Sequence, residues 1–320
     1  MQIALTLLLA AAPVFQEAPP TPPAPEAPRP VTRISVLGAS LSGGYGNSLE
    51  LVTPKDVRLG RFLACALPQD GFEVIDHGDV WLFTQPISRG REQVDAALAE
   101  EPDFVVALDF LFWYGYGDGY VSDDDRVRDL ELGLAQLDRF SCPIILGDLP
   151  DVTVALQGKG PLGTPVVTRG MIPREVALNR LNARIAYWMA ERPRVSQVPL
   201  ASMLTRMQAG LELTMRGNTW KPDSLAEVLQ PDLLHPTARG TLWVTLATLD
   251  VMARAHTSIA ALPLVWDEAT LRERLMAATA AERAREQKKR DAREARRKKA
   301  EARERERNEG TPTPVGTGGG

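Results

Sequence analysis

The fold is decided by residues 33–43, RISVLGASLSG, where a run of strand-forming residues ends in a turn of small residues. Residues 33–37 have the aliphatic and β-branched character of a buried strand. The turn that follows leads towards a helix. A serine in this turn lies beyond the carboxyl end of a parallel strand, where open α/β sheets keep their sites. We therefore predict an α/β fold and take Ser40 as the first candidate site residue.

Strand-like and helix-like segments alternate along the chain after this turn. Strands are predicted at 72–75, 104–108, 143–146 and, more weakly, 195–200, and helices at 56–67, 92–99, 123–140 and 174–190. Alternation of this kind indicates a parallel sheet that is covered by helices on both faces. The acidic cluster Asp123, Asp124 and Asp125 follows Ser122, and a helix start explains it better than a metal site does.

The chain is long enough to bury the core of one domain, at 320 residues, 44% hydrophobic and 24% charged. We expect that domain at 31–255. Residues 1–16, MQIALTLLLAAAPVFQ, form an apolar run too short to span a bilayer, and a Pro-rich linker follows at 17–30. This pattern predicts a signal peptide, and a secreted, periplasmic or envelope-facing protein. The run lacks Lys and Arg, so an N-terminus retained in the membrane stays open as an alternative.

The end of the chain is predicted to be an extension, 256–309, with a charged helix, and a disordered tail, 310–320. Residues 282–309 contain 13 Lys or Arg and eight Asp or Glu, whereas the whole chain has a formal charge of −4. Ala is the only apolar residue there, which argues against a coiled coil. A solvated helix is one interpretation, and contact with an anionic surface is the other. The pattern predicts no specific nucleic-acid partner.

The chain has two cysteines, Cys65 and Cys142. We predict that both are small buried residues, because their spacing fits neither a disulfide framework nor a metal site.

A second candidate element, Pro231-Asp232-Leu233-Leu234-His235-Pro236, precedes an amphipathic stretch at 242–252. An Asp three residues ahead of a His in a loop can accept a hydrogen bond from one imidazole nitrogen. That bond fixes the tautomer whose other nitrogen faces a serine. We therefore take His235 as a candidate base and Asp232 as the residue that orients it.

Over about residues 32–252 the chain resembles the SGNH (GDSL-type) hydrolases. The opening block is Gly38-Ala39-Ser40-Leu41-Ser42 and the closing block is Asp232-Leu233-Leu234-His235-Pro236, in the family's order and spacing. The resemblance implies a three-layer α/β/α domain with about five parallel strands. It also implies an ester hydrolase with a Ser40, His235 and Asp232 triad that acts on a small-molecule or glycan ester. Neither a metal nor an organic cofactor is implied.

The sequence departs from the family in the groups that stabilise the oxyanion. Ala39 stands where an Asp normally precedes the serine. The Gly of the second block is either Gly78, out of register, or is replaced by Trp81. The third block, Gly-x-Asn-Asp in the family, falls on Asp109-Phe110-Leu111-Phe112, so the side-chain amide donor is missing. Loss of one such donor typically costs about 100- to 1,000-fold in rate.

The aromatic stretch Phe110-Leu111-Phe112-Trp113-Tyr114 follows the third predicted strand. We expect Trp113 and Tyr114, with Asp109, Trp81 and Gly78, to bind substrate. Asp109 has two open interpretations: a group that binds a substrate hydroxyl or an Arg, or a structural anchor.

The leading hypothesis for the function of the chain is an esterase or deacylase. The alternatives are a catalytically impaired binding module for a glycan or envelope polymer, and a scaffold whose activity lies in the charged C-terminal segment.

Overall fold

A computed structural model describes residues 31–46, 57–68 and 70–309 of the chain. The predicted signal peptide, Pro-rich linker and C-terminal tail lie outside these residues. The helices are α1 (Ser40–Gly43), α2 (Leu59–Ala66), α3 (Pro86–Ala99), α4 (Phe112–Gly115), α5 (Asp123–Leu137), α6 (Glu175–Ala190), α7 (Leu200–Gln208), α8 (Ala238–Ala255), α9 (Thr257–Ala260), α10 (Glu268–Ala278) and α11 (Ala280–Glu309).

Five strands form the central sheet: β1 (Arg33–Val36), β2 (Glu73–Asp76), β3 (Phe104–Ala107), β4 (Ile144–Gly147) and β5 (Val195–Val198). Their order is β2-β1-β3-β4-β5, and every neighbouring pair is parallel. All residues of β3 and β4 are buried, as expected for central parallel strands. A separate antiparallel hairpin joins β6 (Leu213–Met215) to β7 (Asn218–Trp220). The predicted α/β class is confirmed.

Helices cover both faces of the sheet and complete three layers. On one face α2, α8 and α10 pack together, and on the other face α3 and α6 each pack against α5. Because the chain leaves β1 for β2 on one side and later returns to β3 on the other, the strand order reverses between β1 and β3. A crevice opens at such a reversal, beyond the carboxyl ends of the two strands.

Two helix starts show how the sequence sets the element boundaries. The Ser122 side chain accepts a hydrogen bond from the Asp125 N–H (3.2 Å), and the Asp125 carboxylate accepts one from the Ser122 N–H (2.9 Å). This capping box confirms that the acidic cluster is a helix start. The helix predicted to begin at residue 92 begins instead at Pro86, because a proline is well tolerated in the first turn, where its missing N–H has no partner to lose.

The compact part of the molecule continues past residue 255, where the domain was predicted to end. Ile259, Leu271 and Leu275 are buried, and α10 packs against α2 and α8. The Glu268 carboxylate also accepts hydrogen bonds from Arg239 (2.8 Å) and from the Trp243 indole (3.1 Å). These contacts place residues up to about Ala278 in the same folded unit as the sheet.

The charged helix, α11, is 30 residues long, and its described side chains from Asp291 to Lys298 are exposed. The predicted helix is thus present, and within the described range it is solvated. None of the helices in the described residues has the length and apolar character that a membrane crossing would require.

Both cysteines are free thiols within the described structure. Cys65 is buried and Cys142 is half-buried against the core. Burial raises the pKa of both thiols, that of Cys142 to about 11. Thiols with raised pKa values are poor nucleophiles at neutral pH, which agrees with their interpretation as packing residues.

Candidate active site

The loop before α8 brings Asp232 and His235 into direct contact. The Asp232 Oδ2 and His235 Nδ1 atoms are 2.7 Å apart, and Asp232 Oδ1 accepts the backbone N–H groups of Leu234 and His235, both at 3.0 Å. Leu233 has a φ of +56°, a left-handed conformation that lets the chain fold back so tightly. The sequence spacing therefore produces the predicted carboxylate–imidazole pair.

Asp232 is suited to orient the imidazole because it stays ionised. Burial by itself raises the pKa of this carboxyl, but the hydrogen bonds and charge of His235 and the two backbone N–H groups outweigh burial, so the pKa lies below its ordinary value. An ionised carboxylate can only accept hydrogen bonds, so Nδ1 of His235 carries the proton. Nε2 is then the atom left to act as a base.

Ser40 is the first residue of α1, directly beyond the carboxyl end of β1. Gly38, with a φ of +149°, turns the chain out of the strand, and a Cβ at this position would lie 2.0 Å from Asp109 Oδ1. Ser40 is half-buried and lines the same two cavities as His235. Among the described contacts, no hydrogen bond joins the two side chains. The serine and the imidazole thus share one opening without being in hydrogen-bond contact.

Asp109 follows β3 and points its carboxylate at the backbone of the Ser40 turn. Asp109 Oδ2 accepts the Leu41 N–H at 2.8 Å and the Ser42 N–H at 3.4 Å, and Oδ1 accepts the Ser42 hydroxyl at 2.6 Å. Burial raises the pKa of Asp109, although these donors and the Ala39 N–H pull it the other way. Of the two interpretations of Asp109, these contacts support the structural anchor.

Only one backbone donor at the turn is left for an oxyanion. In the part of the chain that the structure describes, the Ser40 N–H has no acceptor. The Gly78 N–H is bonded to Asp76 Oδ1 at 2.9 Å. Leu111, where an Asn is expected, is buried and has no side-chain donor. Gly78 instead serves close packing, since a Cβ there would lie 2.8 Å from the Gly43 nitrogen.

Two cavities meet at the candidate site and share Ser40, Leu234 and His235 as lining residues. We call the first, of about 100 Å³, the apolar cavity, because Leu, Met and Val side chains form most of its wall. The second, of about 390 Å³, is the aromatic cleft, with Trp81, Phe83 and Trp113 on one wall. The site therefore offers two separate compartments to a substrate.

The predicted substrate-binding residues divide between this opening and the core. Asp109 lines the apolar cavity, whereas Trp81 and Trp113 line the aromatic cleft. Gly78 lines neither. Tyr114 is completely buried, and it lies where a Cβ on Gly90 would clash with its hydroxyl. This placement argues against substrate contact for Tyr114, because a ring enclosed between helices cannot reach the cleft.

A continuous series of aromatic rings begins at the aromatic cleft and extends beyond it. Trp81 stacks on Phe83 with ring centroids 5.9 Å apart, and Phe83 lies 5.6 Å from Trp113. Phe112 meets Trp113 edge to face at 5.0 Å and stacks on Tyr116 at 4.1 Å. Trp81 and Phe83 are 58% and 41% exposed, so the outer end of the series is open to a ligand.

Sequence reasoning missed two groups at the site. The first is the apolar face of α7, whose four side chains Leu200, Met203, Leu204 and Met207 line the apolar cavity. Their spacing of three and four residues is the signal of an amphipathic helix and would have identified them. The second is Tyr45, whose ring lies 4.3 Å from that of His235. Nothing in the sequence links these two distant residues.

Among the described residues, no group of three or more His, Cys, Asp or Glu side chains is arranged to hold a metal ion. No protein-family model matches the chain, and no curated protein matches it either.

Solved structures are similar to the chain in fold. One, from Desulfitobacterium hafniense and assigned to the G-D-S-L family of lipolytic proteins, is 15% identical, with 68% of this chain and 97% of that chain covered and a TM-score of 0.42. A catalytic mutant of an acetylxylan esterase from Geobacillus stearothermophilus is 14% identical, with 73% and 95% covered and a TM-score of 0.43. An esterase from Pseudoalteromonas sp. is 13% identical, with 70% and 97% covered and a TM-score of 0.42.

The names of these three proteins are those of a lipolytic protein and two esterases. At such identities the comparison concerns the fold alone, so the function of this chain has to be argued from its own residues.

Proposed function

We propose that this chain is a serine hydrolase of carboxylic esters, with Ser40 as nucleophile, His235 as general base and acid, and Asp232 as the orienting carboxylate. The observation that carries the proposal is the 2.7 Å contact between Asp232 and His235 at an opening that Ser40 also lines. The opening lies where the strand order reverses, at the carboxyl end of β1.

The proposed reaction has two halves. His235 Nε2 takes the hydroxyl proton as Ser40 Oγ attacks the ester carbonyl carbon, and the Ser40 N–H faces the oxyanion that forms. Collapse of this intermediate breaks the bond to the alcohol, which leaves with the proton from His235. Water, deprotonated by His235, then attacks the acyl carbon on Ser40. The bond between this carbon and Ser40 Oγ breaks, His235 returns the proton to Ser40 Oγ, and the acid is released. After the second half, the Ser40 hydroxyl and the His235 imidazole have returned to their starting protonation states.

Asp232 contributes by holding the imidazole in one tautomer and by stabilising the imidazolium cation. Its ionised carboxylate sets Nδ1 as the protonated nitrogen at the start of each half-reaction. With one assigned oxyanion donor, we expect turnover that is slow for this class, because a missing donor typically costs about 100- to 1,000-fold.

A fluorophosphonate probe tests the nucleophile directly. We expect the wild-type protein to be labelled at Ser40, and we expect Ser40→Ala and His235→Ala to abolish labelling. Mass spectrometry of peptides after labelling identifies the modified residue. Ser88→Ala is the matched control, since Ser88 is exposed and outside both site cavities, and it should be labelled as the wild type is. A folded wild-type protein that the probe leaves unmodified would contradict the proposal.

The second candidate function is a catalytically impaired binding module for a glycan or envelope polymer. The exposed Trp81 and Phe83 rings favour it, because aromatic faces next to a groove can stack against sugar rings. It predicts calorimetric binding of oligosaccharides that Trp81→Ala weakens, together with absence of ester turnover. Hydrolysis of simple acyl esters that is lost in His235→Ala would exclude it.

A further inference from the structure

The apolar cavity adjoins the nucleophile but is distinct from the aromatic cleft, since the two share only Ser40, Leu234 and His235 among their lining residues. One compartment beside an ester hydrolase's serine has to receive the acyl group and the other the alcohol. The cavity is the better acyl site because Leu, Met and Val side chains form most of its narrow wall, whereas the cleft is wider and is lined by aromatic rings.

The wall of the apolar cavity is built from several elements that meet around it. Helix α7 contributes four side chains at a spacing of three and four residues, and the remaining aliphatic side chains come from α1, the loops after β3 and β4, the loop before α8, and α8 itself. The aliphatic and thioether lining residues are Leu41, Leu108, Leu149, Val152, Leu200, Met203, Leu204, Met207, Leu229, Leu234 and Val244. The methionines are unbranched and adaptable, which suits a wall that contacts a flexible chain.

The acidic side chains at the apolar cavity favour an uncharged acyl group. Asp109 and Asp148 both line it, and neither Lys nor Arg is among its lining residues in the described structure. Both carboxyls are already bonded to backbone N–H groups, Asp148 to that of Ala201 at 2.8 Å and Asp109 to that of Leu41 at 2.8 Å. An acyl group with its own carboxylate would meet two acidic side chains, with neither a Lys nor an Arg to pair with it.

The apolar cavity is too large for acetyl to be the acyl group that fits it best. A single enclosed water needs about 10–15 Å³, so a cavity of about 100 Å³ takes several water-sized groups. The methyl group of an acetyl ester would leave most of that apolar space empty. A longer chain fills it and removes more apolar surface from water.

We propose that the apolar cavity is the acyl-binding site and that it selects an uncharged aliphatic chain of roughly four to eight carbons over acetyl. This inference rests on the proposed ester hydrolase function. It adds the substrate class and names α7 as the element that determines chain length.

A series of p-nitrophenyl esters tests the inference, from acetate through butyrate, hexanoate and octanoate to laurate. The leaving group is constant, so differences in kcat/KM report the acyl site alone. We expect kcat/KM to rise by up to about fourfold for each methylene that the cavity buries, and hexanoate to exceed acetate by at least about tenfold. Laurate should fall below octanoate because its chain is longer than the cavity.

Two variants of α7 should change the preferred acyl chain length in opposite directions. Leu204→Trp fills the cavity and should make acetate or butyrate the best substrate, while Met207→Ala enlarges it and should move the optimum to a longer chain. Leu211→Trp is the matched control, because Leu211 lies just past α7, is 49% exposed and lines neither compartment. Circular dichroism and the melting temperature check folding, and Met207→Ala keeps the test decisive if the larger side chain prevents folding.

The outcomes separate this inference from the proposed function. Hydrolysis with acetate preferred, or a chain-length profile that neither α7 variant shifts, would overturn the acyl site and leave the ester hydrolase standing. Absence of hydrolysis at every chain length, with Ser40 unlabelled by fluorophosphonate, would overturn both.

Discussion

Asp109 binds the backbone of the turn that presents Ser40. In the hydrolases that the sequence resembles, an Asp precedes the serine, and here Ala39 occupies that position. The carboxylate of Asp109 reaches the same turn from the neighbouring strand, β3, and meets the Leu41 and Ser42 N–H groups and the Ser42 hydroxyl. A buried carboxylate that accepts several such donors fixes their positions, so we assign Asp109 as a positioning residue for the nucleophile.

Asp109→Asn should therefore both destabilise the protein and slow the labelling of Ser40. An amide has one acceptor oxygen, so Asn cannot accept both the Leu41 N–H and the Ser42 hydroxyl, and the loss of one of these buried hydrogen bonds costs about 0.5–1.5 kcal/mol. Urea denaturation measures the first effect, and the fluorophosphonate labelling rate measures the second. Asp138→Asn is the control: it removes a carboxylate bonded to Trp188 and Arg192 outside both cavities and should change stability alone. Wild-type labelling in Asp109→Asn would refute the positioning role.

At the scale of elements, the junction between α8 and α9 contains a titratable residue. His256 ends α8 and precedes α9, and its ring meets Phe104 edge to face at 5.3 Å. Burial lowers the pKa of His256 from its ordinary value of 6.5. The unfolded chain therefore binds a proton more readily than the folded chain does, and stability is lost as the pH falls through about 6.5 towards the folded pKa.

We expect the wild type to lose more unfolding free energy between pH 7.5 and pH 5.5 than His256→Gln does. Glutamine is neutral at both pH values, so the variant lacks this proton linkage even if it is less stable overall. Urea denaturation at the two pH values gives the difference. Equal losses in the two proteins would show that His256 titrates alike in the folded and unfolded states.

Strands and helices were largely predictable because they follow local patterns. The strand beginning at Phe104 is a continuous apolar run, and the helix beginning at Asp123 has a serine cap and regularly spaced Leu residues. Helix α7 escaped prediction because only Pro199 separates it from β5, so the strand predicted at 195–200 extended into it. The apolar residues of α7 nonetheless recur in the sequence at intervals of three and four, which is the pattern of an amphipathic helix.

The site was predictable only where its partners are close in sequence. Asp232 and His235 are three residues apart, and their contact follows from that spacing. The direction of the Asp109 carboxylate depends on how β3 lies beside β1, which the sequence does not specify. Trp113 and Tyr114 are neighbours in the one-turn helix α4 and point in different directions, so one ring reaches the cleft and the other is buried.

For the whole molecule, the fold depends on α9 and α10 but not on most of α11. Ile259, Leu271 and Leu275 are buried against the domain, whereas the side chains from Asp291 to Lys298 are exposed. Full burial of one large aliphatic side chain contributes about 1.5–3 kcal/mol, and a whole domain is stable by only about 5–15 kcal/mol. The loss of three such side chains is therefore comparable to the total.

Two truncations test this division. A chain that ends at Ala281 should melt within a few degrees of the full-length protein and retain the Ser40 labelling rate, whereas a chain that ends at Ala255 should be unfolded or aggregated. Circular dichroism melting and size-exclusion chromatography distinguish the two. A stable, monomeric chain ending at Ala255 would show that the predicted domain boundary was adequate and that α10 is dispensable.

The exposed ring at the outer end of the aromatic series gives the cleft an optical reporter of its own. All six tryptophans lie in described residues, and Trp81 is the one whose side chain is mostly exposed. Iodide in solution collides with exposed indoles and hardly with enclosed ones, so the quenchable part of the intrinsic fluorescence comes mainly from Trp81. We expect a ligand that binds over Phe83 to shield the Trp81 indole from iodide. The loss of quenching then measures binding without a label, a chromogenic leaving group or a chemical step.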